Sequence, residues 1–243
     1  MSNMPKAMVM AAGLGRRMLP LTETMPKPLV SFAGKALIDH ALDRLEQANI
    51  EQVVVNVHHL ADQVEEHLRN RTKPSVIISD ERAFLLETGG GAKKALEHLG
   101  PEAFYVLNSD SVWQEDQKQV LQQLYENWDS ERMDSLLMLA ETSKSIGYDG
   151  AGDFSLNADG TLVRKGEGKQ VPFVNMGVYL IHPRLFESTP EGAFSMNLLW
   201  DRALQNNRLF GLAHDGEWMH LGTPQSLHQA QAYIQTTQPD AAI

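Results

Sequence analysis

Between residues 7 and 113 the chain alternates apolar, often β-branched runs with amphipathic helical ones. No other feature restricts the fold as much. AMVMAA reads as a strand buried on both faces. ALIDHALDRLEQAN has helical periodicity, with Leu37, Ala41, Leu45 and Ala48 on one face. EQVVVNVHH is a second strand, LADQVEEHLRN a second helix and PSVIISDE a third strand. TGGGAKKALEHLG reads as a helix begun through glycines and closed by Gly100, and AFYVLNSDSVW as a fourth strand with a polar end. Such alternation implies parallel pairing through right-handed crossovers. Ligands of these sheets bind beyond the carboxyl ends of the strands. That rule draws Gly13, Asn56, Glu87 and Asp110 toward one crevice.

The second half departs from this rhythm. DSLLMLAET and FVNMGVYLIHP read as strands, the latter stopped by Pro183, and GDFSLNADGTLVRKG as a hairpin turning at Asn157 to Gly160. SMNLLWDRALQNN reads as a helix and RLFGLAHDGEWMHLG as a strand pair. Thr223 can cap a last helix with Pro224 at its first position, and TTQPDAAI reads as a frayed tail. With no internal repeat and no separating linker, residues 1–243 are expected to form one domain. The length and a 42% hydrophobic content suit a soluble chain with a substantial core. Acidic residues outnumber basic ones by 31 to 21, a formal charge of −10, which disfavours nucleic acid or an anionic membrane as partner. Cysteine is absent, which excludes disulfides, thiolate catalysis and Cys-type zinc sites. The first residues lack a secretory pattern, and no run approaches the roughly 18 apolar residues of a membrane span. A cytoplasmic location is expected.

The densest local signal is AAGLGRRM, directly after the first strand. Amides beyond Ala12 can point outward there, and glycine lets a large anion approach the main chain. Two phosphate loops do not fit: Met18 stands at the third glycine of G-x-G-x-x-G, and G-K-[S/T] is missing. On this stretch alone a plain tight turn stays open. Its continuation, GLGRRMLPLTETMPKPLV, resembles the signature of sugar-1-phosphate nucleotidylyltransferases, G-x-G-x-R-[ML]-x-P-L-T followed by P-K-P. Gly13, Gly15, Arg17, Met18, Pro20, Leu21, Thr22, Pro26, Lys27 and Pro28 match in register. LLETGGGAKKAL, LNSDSVW, VNMGVYLIHP and WMHLGTPQSL resemble the family's base-side helix, metal-binding strand end, sugar-pocket strand and closing motif.

The resemblance implies a Rossmann-like three-layer α/β/α nucleotidyltransferase fold with a mixed central sheet and a small sugar-binding subdomain. Residues 1–115 would be mainly nucleotide-binding, and residues 116–243 mainly sugar-binding and closing elements. It implies transfer of a nucleoside monophosphate from a nucleoside triphosphate to a sugar 1-phosphate, with release of pyrophosphate and Mg²⁺ as cofactor. LETGGG, GDFSL and the compact length look most like the branch that joins UTP to N-acetylmuramate 1-phosphate in cell-wall recycling. Mannose, heptose or glucose 1-phosphate with GTP, dTTP or UTP are the alternatives, as is a non-catalytic nucleotide-sugar sensor on the same fold.

By the same resemblance, Arg17 would hold the β- and γ-phosphates, Lys27 would contact the phosphates where the bond forms, and Asp110 would carry the metal. Ala12, Gly13, Gly15, Asn56, Thr88, Gly89 and Gly90 fall to the nucleotide, and Glu87, Asp153 and Asn175 to the sugar. At the position of the family's second metal carboxylate this chain has His220, and imidazole is a poor Mg²⁺ ligand. His220 could bind phosphate or act from behind the ligands instead. Arg16 lies outside the motif and is expected to be exposed. Trp113, Trp200 and Trp218 are expected to pack. His58 and His59 would point to opposite faces of a strand, as polar surface and not as a chelate.

Overall fold

The computed structural model describes residues 4–115 and 118–237. β1 (Ala7–Met10) leads into a long loop with single 3-10 turns at Arg16–Met18 and Lys27–Leu29. A small hairpin follows, β2 (Ser31–Phe32) with β3 (Lys35–Ala36). Then come α1 (Leu37–Gln47), β4 (Gln52–Val57), α2 (Ala61–Leu68), β5 (Ser75–Asp80), α3 (Glu87–Leu99) and β6 (Phe104–Asn108). The remainder is β7 (Ser111–Trp113), α4 (Val120–Glu126), β8 (Ser135–Glu141), β9 (Phe154–Leu156), β10 (Leu162–Arg164), β11 (Phe173–Ile181), α5 (Asn197–Gln205), β12 (Leu209–Ala213), β13 (Trp218–His220) and α6 (Pro224–Thr237).

The main sheet runs β10-β9-β11-β6-β1-β4-β5, with β8 on β11 and β12 on β8. β1 is parallel to both β4 and β6, and β4 is parallel to β5. β11 is antiparallel to β6 and to β8, so the sheet is mixed. Alternation along β1 explains the layers: Ala7 and Val9 face a core shared with Ile38, Leu42 and Leu45 of α1 and Val64 of α2. Met8 faces the other way, toward Ala92 and Ala95 of α3 and Leu199 of α5. A strand covered on both faces has no solvent side, which is why its sequence is apolar throughout. A third core lies beside the sheet, where Met18, Val30, Phe32 and Leu37 meet Val112, Met219, Leu221 and Ile234.

Two expectations need correction, and one helix is additional. AFYVLNSDSVW is two strands, not one. β6 keeps register with β1 only to the Met10–Asn108 pair, where β1 ends; beyond Asp110, β7 joins β13 in a separate two-stranded sheet. The segment read as one strand pair is also divided: β12 runs parallel to β8, whereas β13 pairs with β7. Helix α4, whose Val120, Leu121 and Leu124 are buried, was not anticipated. Thr223 does cap α6, its Oγ1 accepting the Ser226 N–H at 3.1 Å. Thr236 and Thr237 end that helix, and the rest of the tail lies outside the described residues.

Candidate active site

The carboxyl ends of β1, β4 and β6 open onto a cleft of about 310 Å³. Its lining includes Ala12, Gly13, Arg17, Lys27, Asn56, Glu87, Thr88 and Asp110. The strand-end rule thus brings together residues as far apart in sequence as 12 and 110.

The cations owe their placement to the turns that carry them. Met18 is fully buried in the third core, a contribution of about 1.5–3 kcal/mol for such a side chain. In a 3-10 turn successive side chains diverge by roughly 120°. Anchoring Met18 inward therefore turns Arg17 out to the cleft, exposed and without a hydrogen-bond or ion-pair partner among the described residues. Arg16 is also exposed and does not line the cleft. Gly15 adopts φ +63°, and a β-carbon there would meet Thr22 Cγ2 at 2.9 Å and Lys27 Cβ at 3.1 Å. Its carbonyl accepts the Thr22 hydroxyl at 2.8 Å. Gly15 thus shapes the loop beneath Lys27 and does not line the cleft.

Lys27 stands between Pro26 and Pro28, both buried, and donates to Asp110 Oδ2. The two side chains are only 15% and 14% exposed, so each charge depends on the other for solvation. Burial pushes the Asp110 carboxyl up, but Lys27, His220 and Arg17 outweigh it and hold it below the ordinary carboxylate range. His220 goes the other way. Burial lowers its pKa and Lys27 and Arg17 add to that, against Asp110 and Asp149, which favours neutral imidazole. Its ring packs against Tyr148 and Trp218, with centroids 6.2 and 5.6 Å away. The Leu221 N–H donates to the Asp110 carbonyl at 2.9 Å, tying the segment after β13 to the end of β6. Among the described residues no three His, Cys, Asp or Glu side chains cluster tightly enough to hold a metal ion by themselves. One carboxylate kept ionised suits a hard cation that takes its other oxygens from phosphate and water.

On the opposite side, Glu87 and Thr88 begin α3. Glu87 has φ +58°, a left-handed conformation rare for a residue with a side chain. Thr88 lines the cleft while its hydroxyl accepts the Met196 N–H at 2.9 Å. Gly89 and Gly90 do not line it. A β-carbon on Gly89 would stand 2.5 Å from the Phe194 ring, and one on Gly90 2.3 Å from the Gly192 carbonyl oxygen. These two glycines, assigned to the nucleotide from the resemblance, make room for the protein's own 192–196 segment. Asn56 is 3% exposed with both amide ends engaged: Oδ1 accepts the Ala11 N–H at 2.8 Å, and Nδ2 donates to Glu81 Oε1 at 2.7 Å.

Asp153 and Asn175 are outside the cleft lining, at an irregularity in β11. Asp153 Oδ2 accepts the Asn175 N–H at 3.1 Å, and Asn175 Oδ1 accepts the Gly177 N–H at 2.9 Å. Both therefore brace the bulge, a device that often re-aims side chains near active sites. His58 and His59 are half-buried and serve as ties between loops. His58 Nδ1 bonds the Glu81 carbonyl at 2.8 Å, and His59 Nε2 the Thr22 carbonyl at 3.3 Å. Trp113 and Trp218 are buried, and Trp200 packs edge-on against Tyr179. Sequence reasoning missed Glu81, an acidic residue just past a strand end and only 2% exposed.

The family model for nucleotidyl transferases matches residues 6–237. The chain belongs to the nucleotidyl transferase family. It is 49% identical over 239 residues to an N-acetylmuramate alpha-1-phosphate uridylyltransferase of Caulobacter vibrioides, covering 96% of this chain and 99% of the relative. A protein of the same description from Neisseria meningitidis serogroup B is 36% identical, over 93% of this chain and 97% of its own. Among solved structures, HddC from Yersinia pseudotuberculosis complexed with GMP-PN superposes with a TM-score of 0.75 at 20% identity, covering 95% of this chain and all of that one. The fold is the Rossmann-like α/β fold of nucleotidyltransferases, with the mixed sheet and flanking helices described above. No helix among the described residues is long and apolar enough to cross a membrane.

Proposed function

We propose that this chain transfers uridylyl from UTP to N-acetylmuramate 1-phosphate, giving the UDP-sugar and pyrophosphate. Two relatives that match over more than nine-tenths of the chain carry that activity in their names. The single observation behind the chemistry is that one glycine-bearing loop delivers Arg17 and Lys27 to a cleft that also holds an ionised Asp110. A sugar phosphate oxygen attacks the α-phosphorus of the triphosphate, and the bond to the bridging β-phosphate oxygen breaks. A phosphate monoester is already largely dianionic at pH 7, its second pKa being about 6, so no general base is required. The barrier is electrostatic, since two anions must meet while charge builds on pyrophosphate, and fixed cations address it.

In this reading Arg17 holds the β- and γ-phosphates with its planar fork of donors. Lys27, paired with Asp110 before substrate arrives, turns its ammonium to the reacting phosphates. Ala12 and Gly13 offer backbone to the triphosphate, and Thr88 borders the base. Glu87, Asp153 and Asn175 face the sugar. Residues 1–115 serve mainly the nucleotide, and residues 116–243 the sugar and closure, in a cytoplasmic enzyme. Asp110 would hold Mg²⁺, which neutralises phosphate charge when bound. His220, neutral and packed on aromatic rings, supports that carboxylate from behind and is not itself a ligand.

The test is pyrophosphate release measured across UTP, GTP, dTTP and CTP against N-acetylmuramate, mannose, heptose and glucose 1-phosphates. Highest turnover with UTP and N-acetylmuramate 1-phosphate is expected; a clear preference for another pair would overturn the substrate assignment. His220 in place of a carboxylate favours a second reading, a sensor that binds nucleotide-sugar without turnover. Absence of pyrophosphate from every pair, with UDP-sugar still bound, would establish it.

A further inference from the structure

Glu81 follows β5 and is fixed at both ends of its peptide unit. Its N–H donates to the Val57 carbonyl at 2.8 Å, and its own carbonyl takes His58. The side chain turns inward, 2% exposed, with no ion-pair partner among the described residues. A carboxylate so placed needs strong donors, since an unpaired buried charge is costly. It has two. Oε1 accepts Asn56 Nδ2–H at 2.7 Å, and Oε2 accepts the Leu86 N–H at 3.1 Å. Leu86 precedes the first turn of α3 and has no side-chain cap of its own, so the carboxylate serves the positive end of that helix. Asn56 carries the connection on, its Oδ1 accepting the Ala11 N–H at 2.8 Å. Gly91 leaves the space required, because a β-carbon there would lie 2.7 Å from Glu81 Oε1 and 2.9 Å from Asn56 Nδ2.

We infer that Glu81 is a positioning residue for the nucleotide: acting through Asn56, its buried carboxylate locks the start of α3 to the Ala11–Gly13 loop. The wall at the phosphates and the wall at the base are thereby held at one spacing. The inference rests on the proposed reading that a nucleoside triphosphate spans this cleft. Hydrogen-bond polarity makes the connection specific. Both outer donors, Leu86 N–H and Ala11 N–H, are backbone groups that cannot change role. Between them the chain needs one double acceptor and one amide. Glutamine at 81 beside asparagine at 56 must leave one donor facing another at some link. Moving the carboxylate to 56 and the amide to 81 satisfies all three links again.

The experiment compares wild type, Glu81→Gln and Glu81→Gln/Asn56→Asp. It measures UTP affinity by calorimetry, KM for UTP and for N-acetylmuramate 1-phosphate, and the melting temperature of each protein. One mismatched buried hydrogen bond corresponds to about tenfold, so Glu81→Gln is expected to weaken UTP by about that factor. KM for the sugar phosphate should stay within about twofold, and the double variant should return UTP affinity to within about threefold of wild type. Unaltered UTP affinity in Glu81→Gln would overturn the inference while leaving the proposed function intact. So would a folded double variant no better than the single one, or one that fails to fold, because a chain of matched polarity would then not be what holds the loops. Failure of the wild type to bind UTP would instead remove the parent reading, and this inference with it.

Discussion

Gly13 and Gly90 stand on opposite sides of the cleft and do different work. A methyl group on Gly13 would meet no atom within 4 Å, while one on Gly90 would lie 2.3 Å from the Gly192 carbonyl oxygen. The space beside Gly13 opens into the cleft, whereas the space at Gly90 is already filled by the chain. The side chains divide in the same way. On the side of the Gly13 loop, among the described residues Arg17 has no hydrogen-bond or ion-pair partner and Lys27 is paired with Asp110 alone, an arrangement that suits the proposed encounter with an anion. Across the cleft Thr88 is tied to the 192–196 segment, and the residues around Glu81 are bonded inward. One wall is prepared for charge and the other for shape.

Substitutions can break or sharpen that contrast. Lys27→Ala removes a cation from the reacting centre, where the loss of one preorganised donor typically costs 10²–10³-fold. A fall of about that size in kcat/KM is expected in a pyrophosphate-release assay, and turnover within threefold of wild type would remove the assigned role. Gly90→Ala forces the methyl against backbone that cannot move cheaply, and destabilisation of about 1–3 kcal/mol is expected in urea unfolding. Gly13→Ala should leave that unfolding curve within about 0.5 kcal/mol of wild type. Its methyl would instead occupy ligand space, raising KM for UTP by about tenfold, the equivalent of 1.4 kcal/mol. If Gly13→Ala melted early and Gly90→Ala did not, the comparison between the walls would be wrong. Arg16→Ala should change neither property, since Arg16 is exposed and outside the cleft; kcat and KM within about twofold of wild type are expected.

Much of the cleft was legible because its chemistry is local. Arg17, Lys27 and the glycines near them lie on one continuous loop, so this side of the cleft is written residue after residue. The strand-end rule added Asn56, Glu87 and Asp110 from the period of the strands alone. What could not be read is what each polar group does once it arrives. Asn56 lines the cleft as expected, but its amide is also a strut, which the sequence hides because its partners Ala11 and Glu81 are 45 and 25 residues away. Asp153 and Asn175 looked like sugar contacts, and part of each is used in bracing the β11 bulge. Nothing in EWMHLG states that β13 leaves the main sheet to pair with β7. That choice depends on buried Ser111, which accepts Trp218 Nε1–H at 2.7 Å across 107 residues of sequence and donates to the Met176 carbonyl.

The chain's own order of residues decided the parallel α/β core, the placement of the glycine-rich loop after β1 and the family. Periodicity and contiguous motifs need only near neighbours to be recognised. The tertiary structure alone decided which glycines face the open cleft and which face protein, why Glu81 is buried at the base of α3, and how His220 comes to lie near Asp110. Each of those depends on groups brought together across the sheet, where sterics and hydrogen-bond polarity act between residues that the sequence keeps apart.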